Sequence, residues 1–146
     1  YKRQEINPGS GFKPLSKIAS GGELSRFLLA AKLCFFDEDS KKTQIFDEID
    51  SGVGGATASA IGKRLLELSK HEQVLVVTHS PQVAAYSDNH LKVTKINSDN
   101  STITQVTTLN EEKTVREIAR MLSGELVTSE ALAAAAKLRN TSRGIS

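Results

Sequence analysis

The hydrophobic positions of this chain change period several times. From Leu24 to Phe36, Leu24, Phe27, Leu28, Ala31 and Phe35 recur at helical spacing, while Leu29, Leu33 and Phe36 cover much of the other side. That pattern predicts a largely buried helix. A short run, Gln44-Ile45-Phe46-Asp47-Glu48, follows and reads as a buried strand ending in carboxylates. Ser51-Gly52-Val53-Gly54-Gly55 cannot be regular structure. Next comes an amphipathic helix over about 56–70, with Ala58, Ile61, Leu65 and Leu68 inward and Lys63, Arg64, Glu67 and Lys70 outward. Gln73–Thr78 is a β-branched run, typical of a strand buried on both faces. Strand, helix and strand at this spacing predict a parallel βαβ unit with a right-handed crossover.

The flanking segments are shorter. Residues 1–14 read as a short edge strand and a loop, and 37–42 as a charged loop. Ser80-Pro81 begins a short helix to about Ser87, with Pro at a tolerated early position. Leu91–Ile96 and Thr102–Thr108 alternate around a turn at 97–101 and predict an antiparallel hairpin. A helix over 111–123 turns Val115, Ile118, Ala119 and Leu122 inward, and Gly124 ends it. Ser129–Leu138 is helical and Ala-rich, either weakly anchored or closely packed, and Asn140–Ser146 is expected to fray.

Composition bounds the class. The 146 residues suit one ordinary domain, and 38% hydrophobic content is enough for a core. The net charge of +2 comes from scattered residues with no basic block, so it marks no nucleic-acid surface. No stretch approaches the ~20 apolar residues of a membrane span. The single cysteine, Cys34, lies in an apolar segment; it excludes an internal disulfide, fits a reducing cytosol and is expected to be an inert core thiol. The sequence starts without an initiator Met and is read as a fragment.

Three places carry candidate chemistry. Ser20-Gly21-Gly22-Glu23 is a capping box by its Ser and Glu. Gly21 and Gly22 each cost roughly 1 kcal/mol against Ala in a helix, and they also let an anion approach free N–H groups at the positive end of the dipole. Asp47 and Glu48 are either an acidic turn or two carboxylates with separate jobs, since strand neighbours point to opposite faces. His79 ends the second strand of the parallel pair, on the edge where Asp47 and Glu48 end the first. It is either a turn histidine or a third member of a site. Two carboxylates and a histidine beside a phosphate-binding helix start suit metal-assisted phosphoryl hydrolysis.

In order, Ser20–Glu23, Ile45–Glu48 and the V-V-T-H ending at His79 resemble the signature motif, the Walker B strand and the switch histidine of ATP-binding-cassette ATPases. Glu23, where the usual signature has Gln, resembles the SMC-like, chromosome-maintenance branch rather than transporters. Lys17–Arg26, Phe46–Val53, Thr78–Ala85 and Glu117–Leu122 look like a bacterial DNA-repair member of that branch, and the likeness runs from about Pro8 to Leu138. It implies an α/β fold. This would be a partial cassette head with a parallel βαβ core, helices on both faces, a C-terminal antiparallel hairpin and two helices. Residues 1–146 would form the C-terminal lobe, without the Walker A half or the coiled coil, and no G-x-x-x-x-G-K-S/T occurs here.

The resemblance also implies residue roles. Asp47 would hold Mg²⁺, Glu48 would polarise the attacking water and His79 would contact the γ-phosphate. Ser20, Gly21, Gly22 and Glu23 would meet the ATP of a partner head. Asp50 and Ser51 would lie in a loop crossing the dimer interface. Many family members carry an aspartate six or seven residues past the Walker B Asp. This chain has Val53 and Gly54 there, so the backbone or Asp50 would take over that contact. The implied partners are the N-terminal Walker A half, a second head and DNA, with DNA-binding residues unassigned and no membrane. The implied setting is the bacterial cytoplasm near the nucleoid, in double-strand break repair and recombination. Another SMC-like ATPase, a transporter cassette and a non-catalytic interaction module are the alternatives.

Overall fold

Strand propensity and helix periodicity divide the chain as the sequence predicts. The computed structural model describes residues 3–4, 13–14, 21–34, 42–98 and 101–144. These fall into two compact units, one ending at Thr78 and one beginning at His79.

In the first unit, β1 (Arg3–Gln4) and β2 (Lys13–Pro14) form a short antiparallel ladder. Then come α1 (Gly21–Cys34), β3 (Thr43–Asp47), α2 (Gly55–Ser69) and β4 (Gln73–Val77). β3 and β4 pair in parallel, from Thr43 opposite Gln73 to Asp47 opposite Val77. The inward face of α2 is the expected one, Ala58, Ile61, Leu65 and Leu68, joined by Gly62. Polar side chains stitch the starting end of the strand pair. Thr43 donates to Gln73 Oε1 at 2.7 Å and Gln44 Nε2 to Glu72 Oε2 at 2.7 Å.

Two burial expectations are corrected here. β4 was expected to be covered on both faces, but the described residues cover one. Phe46 is 5% exposed, whereas its neighbour Ile45 is 70% exposed and Leu75 and Val77 are also open. Because successive strand residues alternate faces, Ile45, Leu75, Val77 and Asp47 share the open face. Helix α1 was expected to be largely buried. It buries Leu29 but leaves Leu24, Phe27 and Leu28 nearly half exposed. It touches β3 and α2, and these leave Leu24, Phe27 and Leu28 only partly covered. The expectations for Ser20, the Glu23 side chain, the Cys34 thiol, Phe35, Phe36 and most of the 37–42 loop lie outside what is described.

In the second unit, the short α3 (Pro81–Ala84) is capped by Ser80, which accepts from the Val83 N–H, and it stops before the expected Ser87. β5 (His90–Ser98) and β6 (Ser101–Leu109) form the hairpin, in register from His90–Leu109 to Ser98–Ser101. α4 (Glu111–Ser123) is capped by Asn110 and ends at Gly124, whose φ of 83° suits a residue without Cβ. α5 (Ser129–Arg143) is capped by Thr128. Ala84, Ala85, Ile118, Ala119, Ala131 and Ala135 form the core, and the small side chains let α3, α4 and α5 approach closely. Of the two readings of α5, close packing is the one observed.

The expected fraying from Asn140 is overturned: α5 runs to Arg143. Arg139 is 2% exposed and fully used. It donates to the Ala85 carbonyl at 2.7 Å and the Ser87 carbonyl at 2.5 Å, and grips both Glu111 carboxylate oxygens at 3.0 and 3.1 Å. Ser142 donates to the Ala85 carbonyl at 2.6 Å. The motif Glu117–Leu122 also finds a structural account. Buried Glu117 accepts from Lys92 at 2.5 Å and from Arg120 at 2.7 and 2.9 Å, joining hairpin to helix. Burial pushes its carboxyl up, but the bonds from Arg120 and Lys92 outweigh this and hold it below the ordinary range. His90 is pushed down from the usual 6.5 by burial, with Arg139 and Lys92 adding to the effect and Glu117 opposing it.

Candidate functional site

The residues singled out around 44–51 sit where the sheet opens. Asp47 is the last residue of β3, opposite Val77 of β4, and its side chain is exposed. Glu48 extends the ladder by one bond, its N–H donating to the Val77 carbonyl at 3.0 Å. The chain then turns sharply: Ser51 N–H donates to the Glu48 carbonyl at 2.9 Å, and Val53 N–H to the Asp50 carbonyl at 3.4 Å. The turn is made at Glu48, whose φ of 48° is the one positive value at a non-glycine among the described residues. For an L-residue with a long side chain, this left-handed conformation costs roughly 1–2 kcal/mol. Such outliers persist where the surroundings over-determine them, and they cluster at functional sites.

Three side chains do this over-determining. Ile49 is fully buried and plugs the turn into the core. Asp50 is half-buried and accepts a hydrogen bond at Oδ2 from the Thr78 hydroxyl, just past β4. Arg26 of α1 donates through Nη1 to the carbonyls of Ile49 at 3.1 Å and Ser51 at 3.0 Å. Sequence reasoning missed Arg26 and Thr78. Both lie in stretches that carry the family resemblance, Lys17–Arg26 and Thr78–Ala85, and Arg26 is also a lone charge between Glu23 and Lys32 in an apolar run, but the resemblance assigns a role to neither.

The predicted residues are thus distributed as follows. Asp47, Glu48, Asp50 and Ser51 stand together in the first unit, at the carboxyl edge of β3. Gly21, Gly22 and Glu23 form the first turn of α1 in the same unit, and Ser20 lies outside the described residues. His79, two residues past Val77 in the chain, is exposed and opens the second unit. Among the described residues no three His, Cys, Asp or Glu side chains form a metal cage. Mg²⁺ rarely needs one, being held usually by one or two carboxylates together with substrate phosphates and water. An exposed carboxylate at a strand's end fits that mode.

An open α/β sheet with carboxylates at its carboxyl edge is the usual setting of a ligand site, and the fold has a clear relative. The chain matches a solved structure from work on ATP-driven dimerization and DNA-stimulated activation of SMC ATPases. The TM-score is 0.54 and the identity 24%, covering 86% of this chain and 82% of that one. The fold is that of an SMC ATPase. In sequence the chain is similar to one segment of RecN proteins. It is 48% identical over 136 residues to the DNA repair protein RecN of Rickettsia felis, 47% over 137 residues to that of Streptomyces coelicolor and 48% over 132 residues to that of Xylella fastidiosa strain 9a5c. These matches cover 93%, 94% and 90% of this chain. The chain spans about a quarter of the length of these curated relatives, 25%, 24% and 24%. No protein-family model matches it. Among the described residues no helix is long and apolar enough to cross a membrane.

Proposed function

We propose that residues 1–146 are the C-terminal lobe of an SMC-like ATPase head, part of a RecN-like protein that hydrolyses ATP in bacterial double-strand break repair and recombination. The observation that carries the reading is the turn at Glu48: two adjacent carboxylates at a sheet's carboxyl edge, the second held in a left-handed backbone. The similarity to RecN and the SMC ATPase fold support it.

In this reading Asp47 holds Mg²⁺, which when bound offsets the charge of the phosphates. Glu48 accepts a hydrogen bond from the attacking water, orients it and takes its proton as the water oxygen bonds to the γ-phosphorus and the bond to ADP breaks. His79 donates to the γ-phosphate oxygens as their charge grows. Ser20, Gly21, Gly22 and Glu23 bind the γ-phosphate end of ATP held on a partner head, where a helix start favours an anion. Asp50 and Ser51 belong to the loop at the head-to-head interface. The sequence contains no G-x-x-x-x-G-K-S/T to cradle the α- and β-phosphates, so in this reading an N-terminal Walker A segment of the same protein supplies that half. DNA is a further partner of the full protein, which works in the cytoplasm near the nucleoid.

The test is reconstitution. The chain, co-expressed with the N-terminal half of its protein, should dimerise with ATP and turn it over, and Ser20→Arg should abolish the dimer. Glu48→Gln should keep ATP binding and lose about 100-fold or more in kcat, the usual worth of a general base. Turnover by the isolated chain would sink the half-site reading, and normal turnover by Glu48→Gln would remove Glu48 from its role.

A further inference from the structure

We infer that Arg26 is a positioning residue for hydrolysis: it fixes the loop that holds Glu48 in its left-handed backbone. The inference rests on the functional reading of Glu48 above. Arg26 sits on the second turn of α1, and its neighbours Leu24, Phe27, Leu28 and Leu29 are apolar. It is half-buried, and it aims at backbone rather than at a carboxylate. Nη1 carries two N–H bonds and uses both, on the carbonyls of Ile49 at 3.1 Å and Ser51 at 3.0 Å. Past Glu48 the chain has left the strand ladder, so these carbonyls have no strand neighbour to donate to them. A charged donor makes the stronger kind of hydrogen bond. Two carbonyls two residues apart, drawn to one nitrogen, set the curvature of the turn.

The other side of Glu48 is fixed independently. Its N–H is on the Val77 carbonyl, and Asp50 is tied to Thr78. With the backbone held before and after it, Glu48 has a defined direction for its side chain despite the unfavourable φ of 48°. Helix α1 therefore carries both the first turn proposed to meet a partner's nucleotide and the side chain that shapes this head's own hydrolysis loop. Arg26 touches no reacting atom in this reading; it acts through Glu48.

The experiment uses the reconstituted full-length protein with three variants, Arg26→Gln, Arg26→Lys and Glu48→Gln. It reads kcat, KM for ATP, ATP-driven dimerisation and the thermal midpoint. Misplacement of a reacting group by about 1 Å costs about 100-fold in rate. Arg26→Gln should therefore lower kcat by about 10–100-fold, with KM close to wild type and ATP-driven dimerisation, which the Ser51 end of the loop also serves, weakened by much less than kcat. Arg26→Lys keeps a cationic donor that can reach both carbonyls, and should recover most of kcat. A wild-type kcat in Arg26→Gln overturns the inference. So does a loss that tracks the thermal midpoint and the dimer together and is not recovered by Lys, which would make Arg26 merely structural. If Glu48→Gln hydrolyses ATP normally, or the reconstituted wild type does not hydrolyse it at all, the functional reading falls and takes this inference with it. A dead Glu48→Gln beside a normal Arg26→Gln isolates the failure to Arg26.

Discussion

Single residues here are held in states that their own chemistry disfavours, and the neighbours explain how. Glu48 adopts a backbone suited to glycine because Ile49, Asp50 and Arg26 leave the turn no other path. His90 is the second case. Its Nδ1 is buried without a hydrogen-bond partner among the described residues, as is Ser87 Oγ, so the imidazole is kept neutral rather than solvated. Burial lowers its pKa, Arg139 and Lys92 reinforce this, and Glu117 partly opposes it. Because the folded value lies below the ordinary 6.5, the unfolded chain binds the proton more readily. This contribution to stability is complete above about pH 6.5 and is lost as pH falls from there towards the lowered folded value. The thermal midpoint should thus drop between pH 7.5 and 5.5, and His90→Gln should flatten the drop. An equal drop in the variant would clear His90. The carboxylates Glu111 and Glu117, both lowered, act only in a more acid window, below about 4.5. Residue types alone made Asp47 and Glu48 legible in the sequence, since carboxylates at the end of an apolar run are conspicuous. The backbone angle at Glu48 and the bond from Thr78 to Asp50 were not legible, because nothing in residue type or period encodes them.

Among the elements, α5 depends most on bonds at long sequence distance. Its packing face is mostly alanine, which buries little apolar area per residue, and its hold comes from Arg139 and Ser142 reaching Ala85, Ser87 and Glu111. Arg139→Met would keep the stem and remove the guanidinium, leaving the Ala85 and Ser87 carbonyls short of a donor. A loss of about 3 kcal/mol is expected, within the range for breaking a buried charged network, and it should appear in urea unfolding of the isolated chain. A change below about 0.5 kcal/mol, ordinary for a surface site, would show the network to be dispensable. The sequence pattern located α5 but stopped it early. Arg139 and Ser142 read as surface residues by type, and their carbonyl partners at Ala85 and Ser87 are more than fifty positions away. The bounds of α4 and its Gly124 stop were legible, but its face was so only in part: Ile118 and Ala119 are buried as expected, whereas Leu122 is exposed and Thr114 and Glu117 are buried. For α1 the helix was legible and its burial was not, since an apolar side chain in the sequence does not say whether its cover lies in the same chain.

For the whole molecule, two units of similar size are built from opposite materials. The first has a parallel pair with one face open, on which Ile45, Leu75 and Val77 lie beside Asp47, and a helix with Leu24, Phe27 and Leu28 half exposed. The β-branched run of β4 predicts a strand covered twice, whereas among the described residues only one face is covered. Ile45→Lys should leave the unfolding free energy of the isolated chain within about 0.5 kcal/mol of wild type. If the proposed N-terminal half docks on this face, the variant should nevertheless prevent their co-purification. Normal assembly would mean that another surface receives that partner. The second unit closes through Arg139 and Ala85, 54 residues apart. That distance has a consequence for synthesis. At roughly 5–20 residues per second, a ribosome needs about 3–11 s between making Ala85 and making Arg139. For that interval the hairpin and α4 exist without the anchor that completes their unit. Until the last helix arrives, Ala85, Ile118 and Ala119, all buried in the finished unit, lack the cover of Ala131 and Ala135.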